Sequence, residues 1–133
     1  MKGYLNEYAL TAGLLLLFMA IAHAVYGEMV VFNDLRFMSF DRALFATIYL
    51  PWHQISFVLL LSSIGLMMSS FKKEYKPIQS FVLFVTLSNL AIFLVIIFRS
   101  SGKLLFFQAW PQFFFFLILV LLIILGQRKK EPQ

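Results

Sequence analysis

IQSFVLFVTLSNLAIFLVIIF, residues 78–98, carries no charged side chain, and its polar groups are confined to Gln79, Ser80, Thr86, Ser88 and Asn89. A helix rises about 1.5 Å per residue, so this run is long enough to cross the ~30 Å hydrocarbon core of a bilayer. Its apolar residues are continuous rather than alternating. Only helices and closed barrels satisfy the backbone in lipid, so a continuous run reads as a helix. Three further runs of the same kind lie at about 8–32, 51–70 and 104–126.

Short polar connections join them: Asn33 to Leu50, Phe71 to Pro77, and Arg99 to Lys103. No soluble domain fits in such segments. The expected fold class is all-α: an integral membrane four-helix bundle of up-down topology with short loops, forming a single domain over 1–133. The chain is 62% hydrophobic and 13% charged, against about 45–50% and about 25% for ordinary soluble domains. So the bilayer is the first expected partner.

The amino-terminal run ends in Ala22-His23-Ala24 and resembles a secretory signal with an A-x-A cleavage site. Glu7 before the apolar run and the single Lys2 favour a retained first span. Lys2, Lys72, Lys73, Lys76, Arg128, Lys129 and Lys130 fall on one side of a four-span topology, and Arg36, Arg42, Arg99 and Lys103 on the other. The excess predicts both termini in the cytoplasm. Trp52 and Trp110 then lie near the outer interface, where an indole buries its ring and keeps its N–H wet. The net charge of +5 is explained by flanking anchors, and nucleic acid is not an expected partner. Cysteine is absent, which removes thiolate catalysis and cysteine-based metal sites.

The informative polar residues gather in the outer half. In the first span Ala9, Gly13, Ala20, Ala24 and Gly27 form a stripe of small residues that favours close helix packing. His23 lies beside it and Glu28 above. In the second span His53, Ser56, Leu60, Ser63, Met67 and Ser70 share one face that should look into the bundle. Pro51 either begins that helix, leaving 41–50 as a separate interfacial helix, or interrupts one long helix. Asn89 is expected to hydrogen-bond between helices. Gln108 and Gln112 share a face of the fourth span, and the Phe113–Phe116 run reads as a lipid-facing or packing patch.

Three kinds of chemistry fit this set. His23, Glu28 and His53 are the right ligand types for a divalent metal, although their spacing matches no metal signature, and five residues between His23 and Glu28 suit one helix face only if Gly27 lets the helix bend. His23 and His53 on neighbouring helices could ligate haem axially. A hydrogen-bonded charge network of Glu28 with Arg42 or Arg99 is the structural alternative. No serine near His53 carries a motif for activation, so an enzyme is not expected.

The string Ala22-His23-Ala24-Val25-Tyr26-Gly27-Glu28, then Trp52-His53, then Trp110-Pro111-Gln112, resembles a group of small bacterial membrane proteins with a His, a Gly-Glu pair, a Trp-His pair and a Pro-Gln step in this order. The resemblance implies a bacterial inner membrane and one shared constellation, and no chemistry. The preferred expectation is an outward-facing polar pocket for a small ligand or metal, lined by His23, Glu28, Arg42, His53, Arg99, Trp110 and Gln112. The alternatives are an assembly or accessory subunit, bound to a membrane protein partner, whose polar groups are structural, and a haem- or quinone-binding redox protein. A homodimer is the default oligomer.

Overall fold

Every described element is helical, because each long apolar segment satisfies its own backbone hydrogen bonds internally. The computed structural model describes residues 4–37, 41–99 and 103–129, with side chains at all of these except 103–109. Helix α1 (Glu7–Tyr26) runs through a π-helical turn (Gly27–Val31) into α2 (Phe32–Phe37). Helix α3 spans Arg42–Phe71, a 3-10 turn (Lys73–Tyr75) leads to α4 (Lys76–Arg99), and α5 spans Lys103–Arg128. The stretches Glu7–Phe37, Arg42–Phe71, Lys73–Arg99 and Trp110–Arg128 are long and apolar enough to cross a membrane.

Around the bundle α1 neighbours α3 and α5, and α4 neighbours α3 and α5. Each neighbour in this ring is antiparallel, as short connections require. The shared core is Ala12, Leu16, Ala20, Leu59, Leu66, Val82, Leu119 and Ile123, drawn from all four long helices.

The tightest pair is α1 and α3, and the small-residue stripe explains it. Ala9, Ala12, Gly13 and Ala20 are buried on α1, against Ser56, Leu59, Ser62, Ser63, Leu66, Ser69 and Ser70 on α3. Ser63 Oγ donates to the Gly13 carbonyl at 2.8 Å. A Cβ on Gly13 would stand 3.1 Å from the Met67 nitrogen and 3.2 Å from the Ser63 carbonyl oxygen. Backbone therefore packs on backbone.

Pro51 lies inside α3, so the 41–50 segment and the second span are one helix rather than an interfacial helix followed by a new start. Asp41 caps it, its carboxylate accepting from the Ala43 N–H. The missing N–H of Pro51 costs one intrahelical bond to Thr47. Asn89, expected to bridge helices, donates to the Val85 carbonyl of its own helix at 2.9 Å.

At the end of the bundle that carries both termini, Asn6 ties three helices together. Its side-chain oxygen accepts from the Ala9 N–H and caps α1, its Nδ2 donates to the Gly126 carbonyl at 2.8 Å, and its own N–H donates to the Ser70 carbonyl. Lys129 Nζ reaches the Leu5 carbonyl beside it. With the four long helices latched here, any surplus length projects from the other end. Thirty residues of α3 at 1.5 Å each make about 45 Å, some 15 Å more than the hydrocarbon core. The α1–α2 segment is as long, so this hairpin extends past α4 at the far end.

Asn6→Ala removes a cap and a buried interhelical donor together, and should cost roughly 1–3 kcal/mol. Asn6→Asp keeps the cap but turns a donor into an acceptor facing the Gly126 carbonyl. It should therefore recover none of the interhelical part. Thermal unfolding of the detergent-solubilised protein measures both, and full stability in Asn6→Asp would show that the Gly126 bond contributes nothing.

Candidate functional site

The far half of the bundle holds two separate polar groups, and a π turn decides which residue joins which. A π turn adds one residue to a helical turn. Across Gly27–Val31 the N–H of Phe32 bonds to the Gly27 carbonyl, five residues back. The extra residue shifts the phase of α1 and brings Glu28 round to α3.

Gly27 also makes room for Trp52. A Cβ at Gly27 would fall within 2.8 Å of the indole Cδ1 and Cε2 atoms and closer still to Nε1. The indole sits in this notch and donates Nε1–H to the His23 carbonyl at 3.0 Å. Its ring stacks on the His23 imidazole, with centroids 4.3 Å apart and planes 16° from parallel. Trp52, expected to present its N–H to the interface, is therefore a packing element inside the α1–α3 seam.

The first polar group surrounds Glu28. One carboxylate oxygen accepts from the Tyr49 hydroxyl at 2.6 Å and lies 3.0 Å from His53 Nε2. The other accepts from Arg36 at 3.2 Å. The expected guanidinium was Arg42 or Arg99; the one on Glu28 is Arg36, from α2. Phe32, fully buried, is surrounded by Phe45, Tyr49, Trp52 and His53. Arg36 also lies 5.7 Å over the Phe45 ring, a cation–π arrangement. The group ties α2 onto the projecting end of α3. Glu28 stands about 33 Å along the helix from the Asn6 latch, counting 1.5 Å per residue, which is the headgroup edge of a bilayer. Water and lipid headgroups there make a partly exposed ion pair tolerable.

The second polar group lines a cavity between α1, α3, α4 and α5. Its volume is about 220 Å³, and its walls are Met19, His23, Ile55, Leu59, Asn89, Ile92, Phe93, Ile96, Gln112 and Phe116. His23 Nδ1 lies 2.9 Å from Ser56 Oγ, whose hydroxyl in turn donates to the Trp52 carbonyl at 3.2 Å. With its proton committed, Ser56 accepts the Nδ1–H of His23. The neutral ring then carries its lone pair on Nε2. Counted from Asn6, His23 is about 25 Å deep, inside the hydrocarbon zone rather than at its edge.

The predicted constellation thus divides. His23 and Gln112 share the cavity, joined by Asn89. Glu28 and His53 share the network, joined by Tyr49 and Arg36. Arg42 borders a surface recess with Leu35, Arg36 and Phe45. Arg99 stands exposed at the end of α4, and Trp110 packs on Phe113 and Phe114 along α5. The side chain of Gln108 lies outside the described residues. Within the phenylalanine run, Phe115 packs on the core, Phe116 lines the cavity and Phe114 faces outward.

The split bears on metal and haem. Among the described residues no three of His, Asp and Glu converge to hold a metal: His23 is committed to Ser56 and Trp52 while Glu28 and His53 face each other. The two imidazoles stack on different aromatic partners and border different recesses, which does not fit two axial ligands across one macrocycle.

Sequence reasoning missed Tyr49 and the Glu28 partner Arg36. Tyr49 had a signal: Phe45, Tyr49 and His53 repeat at four, one face of a helix that continues through Pro51. Comparison with family models, with curated proteins and with solved structures gave no match.

Gly27→Ala should destabilise the protein by about 1–3 kcal/mol through overpacking against the indole. The variant Gly27→Ala/Trp52→Phe, which removes the clashing five-membered ring, should recover part of the loss. Equal melting temperatures for wild type and Gly27→Ala would refute the notch. In the Glu28 network, Glu28→Gln keeps acceptors for Tyr49 and should lower the melting temperature less than Glu28→Leu.

Proposed function

We propose that this chain is a small polytopic membrane protein that binds a small ligand in the cavity between its four helices, with His23, Asn89 and Gln112 as the hydrogen-bonding groups. One observation carries the reading: three polar side chains border an otherwise apolar cavity at membrane depth. Polar groups in an apolar setting are costly unless partnered. Ligand sites commonly pair an apolar lining with a few convergent polar groups. The volume of about 220 Å³ lies below the usual range of about 300–1,000 Å³ for drug-sized ligands, which points to a compact molecule.

The Glu28–Tyr49–His53–Arg36 network has its own members as partners. In this reading it holds the projecting hairpin closed and takes no part in binding. That self-satisfaction also favours a second reading, an accessory membrane subunit whose polar groups are structural throughout. The two part at His23 and Gln112. The variant His23→Phe/Gln112→Leu keeps the stack on Trp52 and the apolar volume. Under ligand binding, its melting temperature stays within a few degrees of wild type, while a small molecule found by mass spectrometry to co-purify with the wild type is lost. A large fall in melting temperature, with identical co-purifying molecules, supports the accessory subunit instead.

The excess of lysine and arginine at the end carrying the termini supports both termini in the cytoplasm of a bacterial inner membrane, with the cavity in the outer half. The absence of cysteine makes single-cysteine labelling clean. Asp34→Cys should react with an impermeant maleimide on intact cells, and Glu74→Cys only after permeabilisation. The reverse pattern would place the cavity toward the cytoplasm.

A further inference from the structure

The cavity has a neighbour on the lipid side. A groove between α3 and α4, of about 270 Å³, is walled by Pro51, Gln54, Ile55, Val58, Leu59 and Asn89. Three of these, Ile55, Leu59 and Asn89, also wall the cavity. Only side chains therefore separate the two spaces, and Ile55 is 46% exposed. Val58, on the groove wall, is likewise open to the surroundings at 44%. In a bilayer those surroundings are acyl chains.

The polar atoms at the junction have a definite sense. The Ser56 bond leaves His23 Nε2 as an acceptor in the neutral ring. Asn89 spends one Nδ2 proton on the Val85 carbonyl, which leaves its Oδ1 as an acceptor. Two acceptors from different helices thus border one cavity, and their complement is a donor. A cavity of about 150 Å³ holds benzene, so about 220 Å³ accommodates one substituted ring.

We infer that the ligand is a membrane-partitioned amphiphile with a single hydroxyl-bearing ring as its head and an alkyl chain as its tail. The head lies in the cavity, its hydroxyl donating to His23 Nε2 or Asn89 Oδ1. The tail leaves past Asn89 along the α3–α4 groove into lipid, so entry is lateral, from the bilayer. The inference rests on the ligand-binding reading of the cavity and names its substrate class.

The test uses the full chain in lipid nanodiscs with radiolabelled para-octylphenol as probe. Saturable binding is expected. Para-octylanisole, which lacks only the donor, should compete about tenfold more weakly or worse, since a buried acceptor is left unpaired. His23→Phe, which preserves the stack on Trp52, should weaken binding by a similar factor. Val58→Trp fills the groove from its lipid-facing wall without touching the core. It should weaken para-octylphenol about tenfold and leave unchanged the binding of labelled phenol itself, which has no tail. Equal competition by the anisole overturns the donor head. Undiminished binding in Val58→Trp overturns the lateral tail. If phenol binds in a His23-dependent way while para-octylphenol does not, the cavity remains a ligand site and the amphiphile is wrong. If neither probe binds saturably, both the inference and the reading beneath it fall.

Discussion

The close approach of α1 and α3 is the constraint on which the other features rest. Between helices in lipid there is no hydrophobic driving force, because acyl chains are as apolar as leucine; close packing and hydrogen bonds must hold the pair. Gly13 supplies the closest packing, with Ser63 bonded to its carbonyl. Gly27 repeats the device one span-length higher, with an indole in place of backbone. Together they fix the rotation of α3 about its axis. That rotation aims Ser56 at His23 and carries Tyr49 and His53 to Glu28.

The π turn is the second determinant, and it acts on phase. Without its extra residue, Glu28 would lie about 500° round the helix from His23 at 100° per residue, well off the same face. With it, five residues make roughly one turn, and Glu28 faces the α3 end that projects above. π turns are rare and concentrate where function or strain requires them. Here the turn coincides with the Trp52 notch, since the same glycine opens it and admits the indole.

The two polar groups differ in depth and in completeness. The Glu28 network sits at the headgroup edge, where water lowers the cost of charge, and its members satisfy each other. The His23 group sits among hydrocarbon, where an unmet polar atom is expensive. There His23 is oriented twice over, by Ser56 at Nδ1 and by Trp52 across its face. An imidazole held in that way, with its second nitrogen left for a guest, is arranged for recognition rather than for packing.

Hydropathy determined the four helices and their antiparallel order, since length and apolar content suffice in lipid. The small stripe of α1 and the serine face of α3 were legible too, because residues at three and four must share a side of a helix. Which polar residues meet was not. Glu28 had three arginines within reach along the chain, and the choice of Arg36 follows from the π turn and the short α2 that carry it there. Tyr49 became part of the site because α3 continues through Pro51, a question that propensity leaves open and that packing against Phe32 resolves. The division of His23 from Glu28 and His53 is a purely tertiary result. Sequence spacing places residues along a helix axis, but only the packed partner fixes rotation about it, and one inserted residue in a π turn is enough to send neighbours to different sites.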